Sequence, residues 1–214
     1  MKWERKDFFM LLIGLIPTIV ALINYNKLPL RMGTHFNSYN EVDGYMDRPA
    51  AIAMLLFLGL GLPLILKVAR RVDPKSENYT KFEGVYELLR WAMTVFMLIV
   101  GMFLVVYNLG YRLNVKMVTS PLVGLLFMIL GNFMGKIRYN YTMGIRTPWT
   151  LSNETVWRKT HRMAGPMWMA AGAVMILGAF LPGSWSLPVT LTCVGVVVLV
   201  PTAYSYWLHR RLKA

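Results

Sequence analysis

The chain has 214 residues, of which 56% are hydrophobic and only 15% are charged. Together with a mean hydropathy of +0.46, this composition lies outside the range of soluble domains and indicates an integral membrane protein. The net charge of +13 does not indicate nucleic-acid binding, because almost all basic residues lie at the ends of apolar runs, where they act as topology signals. A single cysteine, Cys193, excludes an intramolecular disulfide and a thiolate metal cluster.

Six apolar runs are candidates for crossing a bilayer. They cover residues 8–25, 50–66, 91–111, 121–135, 165–181 and 187–207. The segments between them alternate in basic content: one set holds 18 of the 23 Lys and Arg, and the other set holds 5. The positive-inside rule therefore places both termini in the cytoplasm. The predicted fold is an all-α integral membrane protein with six transmembrane helices.

In this topology the first loop, residues 26–49, is extracellular, and its sequence favours a small hairpin. Polar and apolar residues alternate around His35, Ser38-Tyr39-Asn40 is turn chemistry, and Asp43-Gly44 is a second turn signal. His35, Glu41, Asp43 and Asp47 are metal-binding residue types, but a single His with scattered carboxylates is more typical of a solvated loop. We expect no metal and no cofactor, and we interpret the loop as a recognition surface for an extracellular ligand.

The next loop, residues 67–90, is cytoplasmic in this topology. Asp73-Pro74 interrupts regular helical structure. Apolar residues then recur at helical spacing from 79 to 89, with charged residues on the other face. This pattern predicts a short interfacial amphipathic helix that leads into the third span.

The cytoplasmic loop 136–164 is rich in both basic and aromatic residues. Six basic residues and one acidic residue are interleaved with two tyrosines and two tryptophans. Such a mixture is typical of a segment held at an anionic membrane surface. Gly144 permits a positive φ, and Ser152 and Asn153 are good N-caps for an interfacial helix that ends at Gly165-Pro166. Contact with anionic lipids and docking of a cytoplasmic protein both fit this loop.

Two functions other than binding are compatible with a membrane protein of this kind: an enzyme and a transporter. Ser152, Glu154, Thr160 and His161 are residue types of acyl-transfer sites, but no GxSxG, HExxH or paired-carboxylate spacing accompanies them. We therefore expect no enzymatic activity. No ionisable residue lies in the middle of a predicted span, whereas ion-coupled transporters usually have one. A transporter or exporter of a small molecule, lipid or peptide is the alternative hypothesis.

Two long segments resemble a known family. The stretch GNFMGKIRYNYTMGIRTPWTLSNETVWRKTHRMAG resembles the SdpI family, the immunity proteins of the sporulation-delaying-protein toxin system. The stretch LPLRMGTHFNSYNEVDGY resembles the LPxRxxxHFNxxxxxDGY pattern of an N-terminal domain often joined to that motif. The family pattern has a glycine shortly before DGY, where this chain has Tyr39-Asn40-Glu41, and we expect Asn40 to take the positive φ.

The predicted organisation has three parts. Residues 1–66 form a two-helix unit with the extracellular loop 26–49, and residues 67–90 form a cytoplasmic interfacial loop. Residues 91–214 form a four-helix SdpI-like unit that contains the motif loop 136–164.

The resemblance implies a protein that protects a cell from a secreted membrane-active antimicrobial peptide. It also implies a receptor that holds a cytoplasmic transcriptional repressor at the membrane, without direct contact with nucleic acid. The residues expected to contact the extracellular peptide are His35, Phe36, Asn37, Asp43, Gly44 and Tyr45. The residues expected to form the cytoplasmic partner-binding motif are Arg138, Asn140, Gly144, Arg146, Thr147, Pro148, Trp149, Trp157, Thr160 and His161.

Overall fold

Helices dominate the computed structural model, which describes residues 3–37 and 39–213. The helices are α1 (Arg5–Ile23), α2 (Arg48–Leu56), α3 (Leu62–Val72), α4 (Glu83–Asn108), α5 (Val115–Met134), α6 (Pro148–Ser152), α7 (Glu154–Gly178) and α8 (Gly183–Lys213). A π-helical segment, Phe57–Gly61, joins α2 to α3, and a 3-10 helix, Ser76–Phe82, precedes α4. Strands β1 (Arg31–Phe36) and β2 (Val42–Asp47) form a two-stranded antiparallel sheet.

Within the described residues, five helical segments are long and apolar enough to cross a membrane. They are Arg5–Ile23, Arg48–Val72, Ser76–Asn108, Val115–Met134 and Ser184–Lys213. Five of the six predicted spans fall largely within these segments. The predicted span 165–181 lies mostly in α7, which is not one of the five. The number of six spans and the cytoplasmic location of both termini stay predictions.

The chain divides into two compact units. Unit 1 comprises Met1–Lys67 and Arg90–Thr119, and unit 2 comprises Val68–Leu89 and Ser120–Ala214. The core of unit 1 includes the buried side chains of Ala21, Leu28, Met32, Leu55 and Val105. Unit 2 has one buried cluster around Tyr79, Tyr86 and Trp157 and another around Met175 and Val197.

Helix backbones touch at pairs of glycines in both units. In unit 1, a Cβ placed on Gly14 or Gly59 would overlap the backbone carbonyl of the other residue. In unit 2, a Cβ on Gly131 would lie 2.7 Å from the Gly165 carbonyl oxygen. Small residues allow such close approach, which is a common way for helices to associate in membranes. Gly131 thus makes a close contact within the chain.

The predicted interfacial helix at residues 79–89 is not a separate element. Its first part belongs to the 3-10 helix and its remainder forms the first turns of α4. Phe82, Tyr86 and Leu89 on its apolar face are at most 4% exposed. This face therefore covers the core of unit 2 instead of facing a membrane surface, and the prediction was wrong on that point.

The predicted interfacial helix of the motif loop is also part of a longer helix. Asn153 is its N-cap as predicted, since its side chain accepts hydrogen bonds from the N–H groups of Thr155 and Val156. However, α7 continues through Gly165 and Pro166 without interruption. The stripe of Val156, Trp157, Thr160 and Ala164 is at most 1% exposed. This stripe packs inside the protein, so the expectation that it faces the membrane was wrong, and the position of the helix at the interface stays a prediction.

A buried carboxylate joins three helical segments of unit 1. Asp7 in α1 is 1% exposed, and its Oδ1 accepts a hydrogen bond from Arg90 Nη2 at 2.9 Å. Its Oδ2 accepts from the Lys67 ammonium and, at 2.9 Å, from the Glu4 N–H. Lys67 and Arg90 lie at the ends of predicted spans, so in the sequence they look like topology signals only. The structure shows that both are also partners of one carboxylate.

We expect Asp7→Asn to destabilise the protein by about 3 kcal/mol, because removing one member of a buried ion pair leaves the other charges incompletely compensated. Thermal unfolding of the purified protein in detergent measures the change. Lys6→Ala is the control, since Lys6 pairs at 3.1 Å with Glu4 on the surface, and such pairs contribute at most about 1 kcal/mol. Equal unfolding temperatures for Asp7→Asn and the wild type would contradict this prediction.

Candidate functional site

The predicted hairpin is present, and its turn is fixed by Asn40. Gly33 pairs with Tyr45 and His35 with Gly44, with a shift in register on either side of His35. Asn40 has a φ of 71°, as expected for the residue that stands near the family's usual glycine. Its side chain accepts a hydrogen bond from the Val115 N–H and donates one to the Leu113 carbonyl at 3.5 Å. Asn40 therefore attaches the turn to the start of α5.

Asn108 at the end of α4 holds β1. Its Oδ1 accepts from the Gly33 N–H at 2.8 Å, and its Nδ2 donates to the Gly33 carbonyl at 2.9 Å. The amide thus satisfies both backbone groups of Gly33, as a neighbouring strand would. Sequence reasoning missed Asn108, although an amide in the last turn of an apolar helix is a signal that could have been noticed.

Phe36 packs the hairpin against α4. Its ring packs edge-on against Tyr107, with centroids 4.7 Å apart, and against Phe103 at 5.7 Å. Of the six residues expected to contact a ligand, Phe36 is therefore the one whose ring packs against α4.

The other five expected residues lie together on the hairpin. His35 Nδ1 and Asp43 Oδ1 are 2.5 Å apart, and their side chains are 74% and 44% exposed. Gly44 is opposite His35, and a Cβ on Gly44 would lie 2.7 Å from His35 Cβ. Asn37 donates a hydrogen bond to Glu41 at 2.9 Å. The guanidinium group of Arg31 lies over the exposed Tyr45 ring, 5.7 Å from the ring centroid. Over residues 3–37 and 39–213, no group of three or more His, Cys, Asp and Glu is placed to hold a metal ion.

In unit 2, the motif loop is organised by Asp73, which is 4% exposed. Its Oδ2 accepts from the Tyr79 hydroxyl at 2.9 Å, the Tyr141 N–H at 2.8 Å and the Thr142 hydroxyl at 3.1 Å. Its Oδ1 accepts from the Lys75 N–H at 2.7 Å. Burial works to raise the pKa of the Asp73 carboxyl, but these hydrogen bonds outweigh it and hold the pKa below its usual value. Sequence reasoning had treated Asp73 only as part of a chain break.

Asn140 closes the turn of the motif loop. It is fully buried, and its Oδ1 accepts from the N–H groups of Thr142 at 2.9 Å and Met143 at 2.7 Å. Its Nδ2 donates to the Arg138 carbonyl at 2.7 Å. Side-chain amides readily replace backbone partners in turns of this kind. Asn140 is therefore a structural centre of the loop.

His161 is buried under Gly144. The imidazole lies 4.1 Å from the Trp157 ring in a stacked arrangement, and its Nδ1 is 2.8 Å from the Trp157 carbonyl oxygen. Its Nε2 accepts from the Ile145 N–H at 2.9 Å. These two bonds require a neutral ring with its proton on Nδ1. Burial lowers the pKa of His161 to about 4, although the bond to Trp157 works in the opposite direction.

This geometry does not favour His161 as a general base, because backbone groups occupy both ring nitrogens. Ser152, the candidate nucleophile, donates to the Trp149 carbonyl at 3.1 Å and lies 3.4 Å from His209 Nδ1. Thr160 is fully buried.

Thr147 begins the short helix α6, which presents Trp149. Thr147 is extended, as residues before proline commonly are, and it forms a reciprocal capping box with Thr150. Its hydroxyl lies 3.0 Å from the hydroxyl of Ser205 in α8. Trp149 packs against Tyr206, with ring centroids 5.0 Å apart. The motif loop is thereby fixed to α8 at two adjacent points.

The ten residues expected to bind a cytoplasmic partner fall into two groups. Asn140, Thr147, Trp157, Thr160 and His161 are at most 8% exposed. The remaining five, which are Arg138, Gly144, Arg146, Pro148 and the partly buried Trp149, reach the surface. The first group builds the loop, and only the second can contact a partner directly.

Comparison with known proteins places both loops in described families. Residues 136–205 match the SdpI/YfhL protein family, and residues 12–60 match a domain of unknown function, DUF1648. Over residues 136–205 the chain is therefore similar to the SdpI/YfhL family. It is 23% identical over 213 residues to the immunity protein SdpI of Bacillus subtilis (strain 168), and the alignment covers 98% of each chain. No solved structure matches this chain.

The family match confirms the resemblance of the motif loop. The SdpI/YfhL match begins at Lys136 and includes all ten residues expected in the cytoplasmic motif. The DUF1648 match includes the whole hairpin. With its five apolar helical segments among the described residues, this protein is a multi-pass membrane protein.

We expect Gly144→Ala to destabilise the protein by about 2 kcal/mol or more, because Gly144 has a φ of 109° and a left-handed conformation is costly for other residues. The added Cβ would also overlap His161 Nε2. Gly84→Ala is the control, since a Cβ there meets nothing within 4 Å. Thermal unfolding in detergent compares the two variants, and an equal effect of both would contradict the role assigned to Gly144.

We also expect stability to fall as the pH is lowered from 6.5 towards 4. The folded pKa of His161, about 4, lies below the ordinary histidine value of 6.5, so the unfolded chain binds more protons in this interval and unfolding is favoured. The loss is of order 3 kcal/mol over the whole interval. Chemical unfolding of wild type and His161→Gln at several pH values measures it. A stability difference between the two proteins that stays constant with pH would exclude His161 as the cause.

Proposed function

We propose that this protein gives immunity against a secreted membrane-active peptide and acts as a binding protein, not as an enzyme. The observation that carries the proposal is the similarity to the immunity protein SdpI, which extends over 98% of both chains. Similarity over the whole length includes both the hairpin and the motif loop. The proposed activity therefore uses two binding surfaces.

The hairpin is the proposed contact for the peptide. In the topology expected from the positive-inside rule it faces the exterior. Its exposed side combines the His35–Asp43 pair with the Tyr45 ring. Aromatic rings and charged pairs on a rigid support are typical of recognition surfaces. Asn40 and Asn108 provide that support.

The motif loop is the proposed contact for a cytoplasmic partner. Arg146 is exposed, and it donates to the Tyr141 carbonyl at 2.9 Å. Trp149 lies near it in sequence and is held by α8. An arginine beside a partly exposed tryptophan is a common composition of protein-binding hot spots. We propose that this surface holds a transcriptional repressor at the membrane when the peptide is bound.

The exposed basic residues of α7 are proposed to contact anionic lipids. Arg158, Lys159 and Arg162 lie on the exposed side of the helix, opposite the buried stripe. Lys and Arg near a cytoplasmic membrane surface are attracted by its negative potential. This contact would keep the motif loop close to the bilayer.

The test uses toxin-sensitive bacterial cells that produce this protein, with empty-vector cells as the control. Purified sporulation-delaying peptide is added, and membrane depolarisation is followed. We expect the protein to block depolarisation and His35→Gln combined with Asp43→Asn to restore it, because the exposed pair is lost. Lys27→Ala, an exposed change in the same loop, should protect as the wild type does. Depolarisation at the control rate despite confirmed expression would contradict the immunity function.

The cytoplasmic surface is tested in the same cells. Arg146→Ala and Trp149→Ala should abolish protection or signalling while the protein stays in the membrane, whereas Arg71→Ala, an exposed change at the end of α3, should keep both. Full protection and signalling by both variants would remove this surface from the proposal.

A further inference from the structure

An apolar groove lies along one side of unit 1. One wall is a stripe of α4 formed by Leu98, Ile99, Met102 and Val106, which recur at helical spacing. Ile16 of α1 and Leu113 before α5 also line it. Its volume is about 470 Å³, which is within the range of ligand-binding cavities.

The position of the groove restricts what can occupy it. The stripe lies within the membrane-crossing segment Ser76–Asn108, and Ile16 lies within Arg5–Ile23. Ile16 is 39% exposed and Ile99 is 38% exposed, so the groove is open at its side. An occupant therefore enters from the hydrocarbon phase and is itself apolar.

One end of the groove adjoins the support of the hairpin. Phe103, which also lines the groove, packs against Phe36 of β1. Leu113 provides the carbonyl that accepts from Asn40 in the hairpin turn. An amphipathic ligand can therefore place its apolar segment in the groove and its polar segment near the hairpin.

We propose that this groove binds the apolar segment of the membrane-active peptide and takes it directly from the bilayer. The proposal rests on the immunity function proposed above, and it adds a second contact and a route of entry. From Leu98 to Val106 the wall is about 12 Å long, because an α-helix rises 1.5 Å per residue. The groove thus holds about two helical turns of the peptide. Sequestering this segment would remove the part of the peptide that damages the membrane.

The test combines photocrosslinking with protection. Full-length protein carrying p-benzoylphenylalanine in place of Met102 is irradiated in membranes with labelled sporulation-delaying peptide. The same substitution at Leu199 is the control, since Leu199 is 68% exposed on α8, within the membrane-crossing segment Ser184–Lys213, and does not line the groove. We expect a crosslink to the peptide at position 102 that is about tenfold stronger than at 199. Crosslinks at position 102 to lipid only would overturn the proposal.

The protection assay uses Ile99→Trp, which fills the groove, and Leu199→Trp as the matched control. We expect Ile99→Trp to lose protection and the crosslink at position 102, while Leu199→Trp keeps both. If the wild type protects but position 102 gives no crosslink to the peptide, the groove is not a peptide site and the immunity function stands. A specific crosslink without protection leaves the groove as a peptide site and removes the immunity function. Absence of both overturns both proposals.

Discussion

The motif loop depends on one carboxylate, that of Asp73. A buried carboxylate is costly unless several donors surround it, and here two backbone N–H groups and two hydroxyls fill this role. Two of the four donors come from the motif loop itself, at Tyr141 and Thr142. The segment before α4 and the motif loop therefore fold as one structure. The position of the loop at Tyr141 and Thr142 follows from this contact.

Both candidate sites are irregular loops held by polar side chains. In the hairpin, Asn40 and Asn108 bond to backbone groups, and in the motif loop Asn140 and His161 do the same. Irregular backbone leaves N–H and carbonyl groups without regular partners, and leaving such a group buried and unpaired is costly. An amide or neutral imidazole satisfies these groups without adding charge. This explains why several motif residues are buried instead of facing a ligand.

Local signals in the sequence were sufficient to predict the hairpin, the N-cap at Asn153 and the positive φ of Gly144, because each of these features depends on a few neighbouring residues. The roles of Asp73, Asn108 and Arg90 could not be predicted. Their bonds join residues 68, 75 and 83 positions apart in the chain, and no local pattern encodes such distances.

The apolar faces of the predicted interfacial helices were mispredicted for a different reason. Helical periodicity reveals that one face is apolar, but it does not tell whether protein or lipid covers that face. For Tyr86 and Trp157 the cover is protein. The basic residues on the opposite side of α7 are exposed, as the pattern required.

The uninterrupted course of α7 makes it a mechanical link within unit 2. Trp157 near its start belongs to the cluster beneath the motif loop, and Met175 near its end belongs to the cluster against α8. These residues are about 27 Å apart along the helix axis at 1.5 Å per residue. Because the helix is continuous and packed at both ends, it joins the cluster at Met175 to the Trp157–His161 stack. The loop can thus report a rearrangement deep in the helical part of the unit without a chain of side-chain relays.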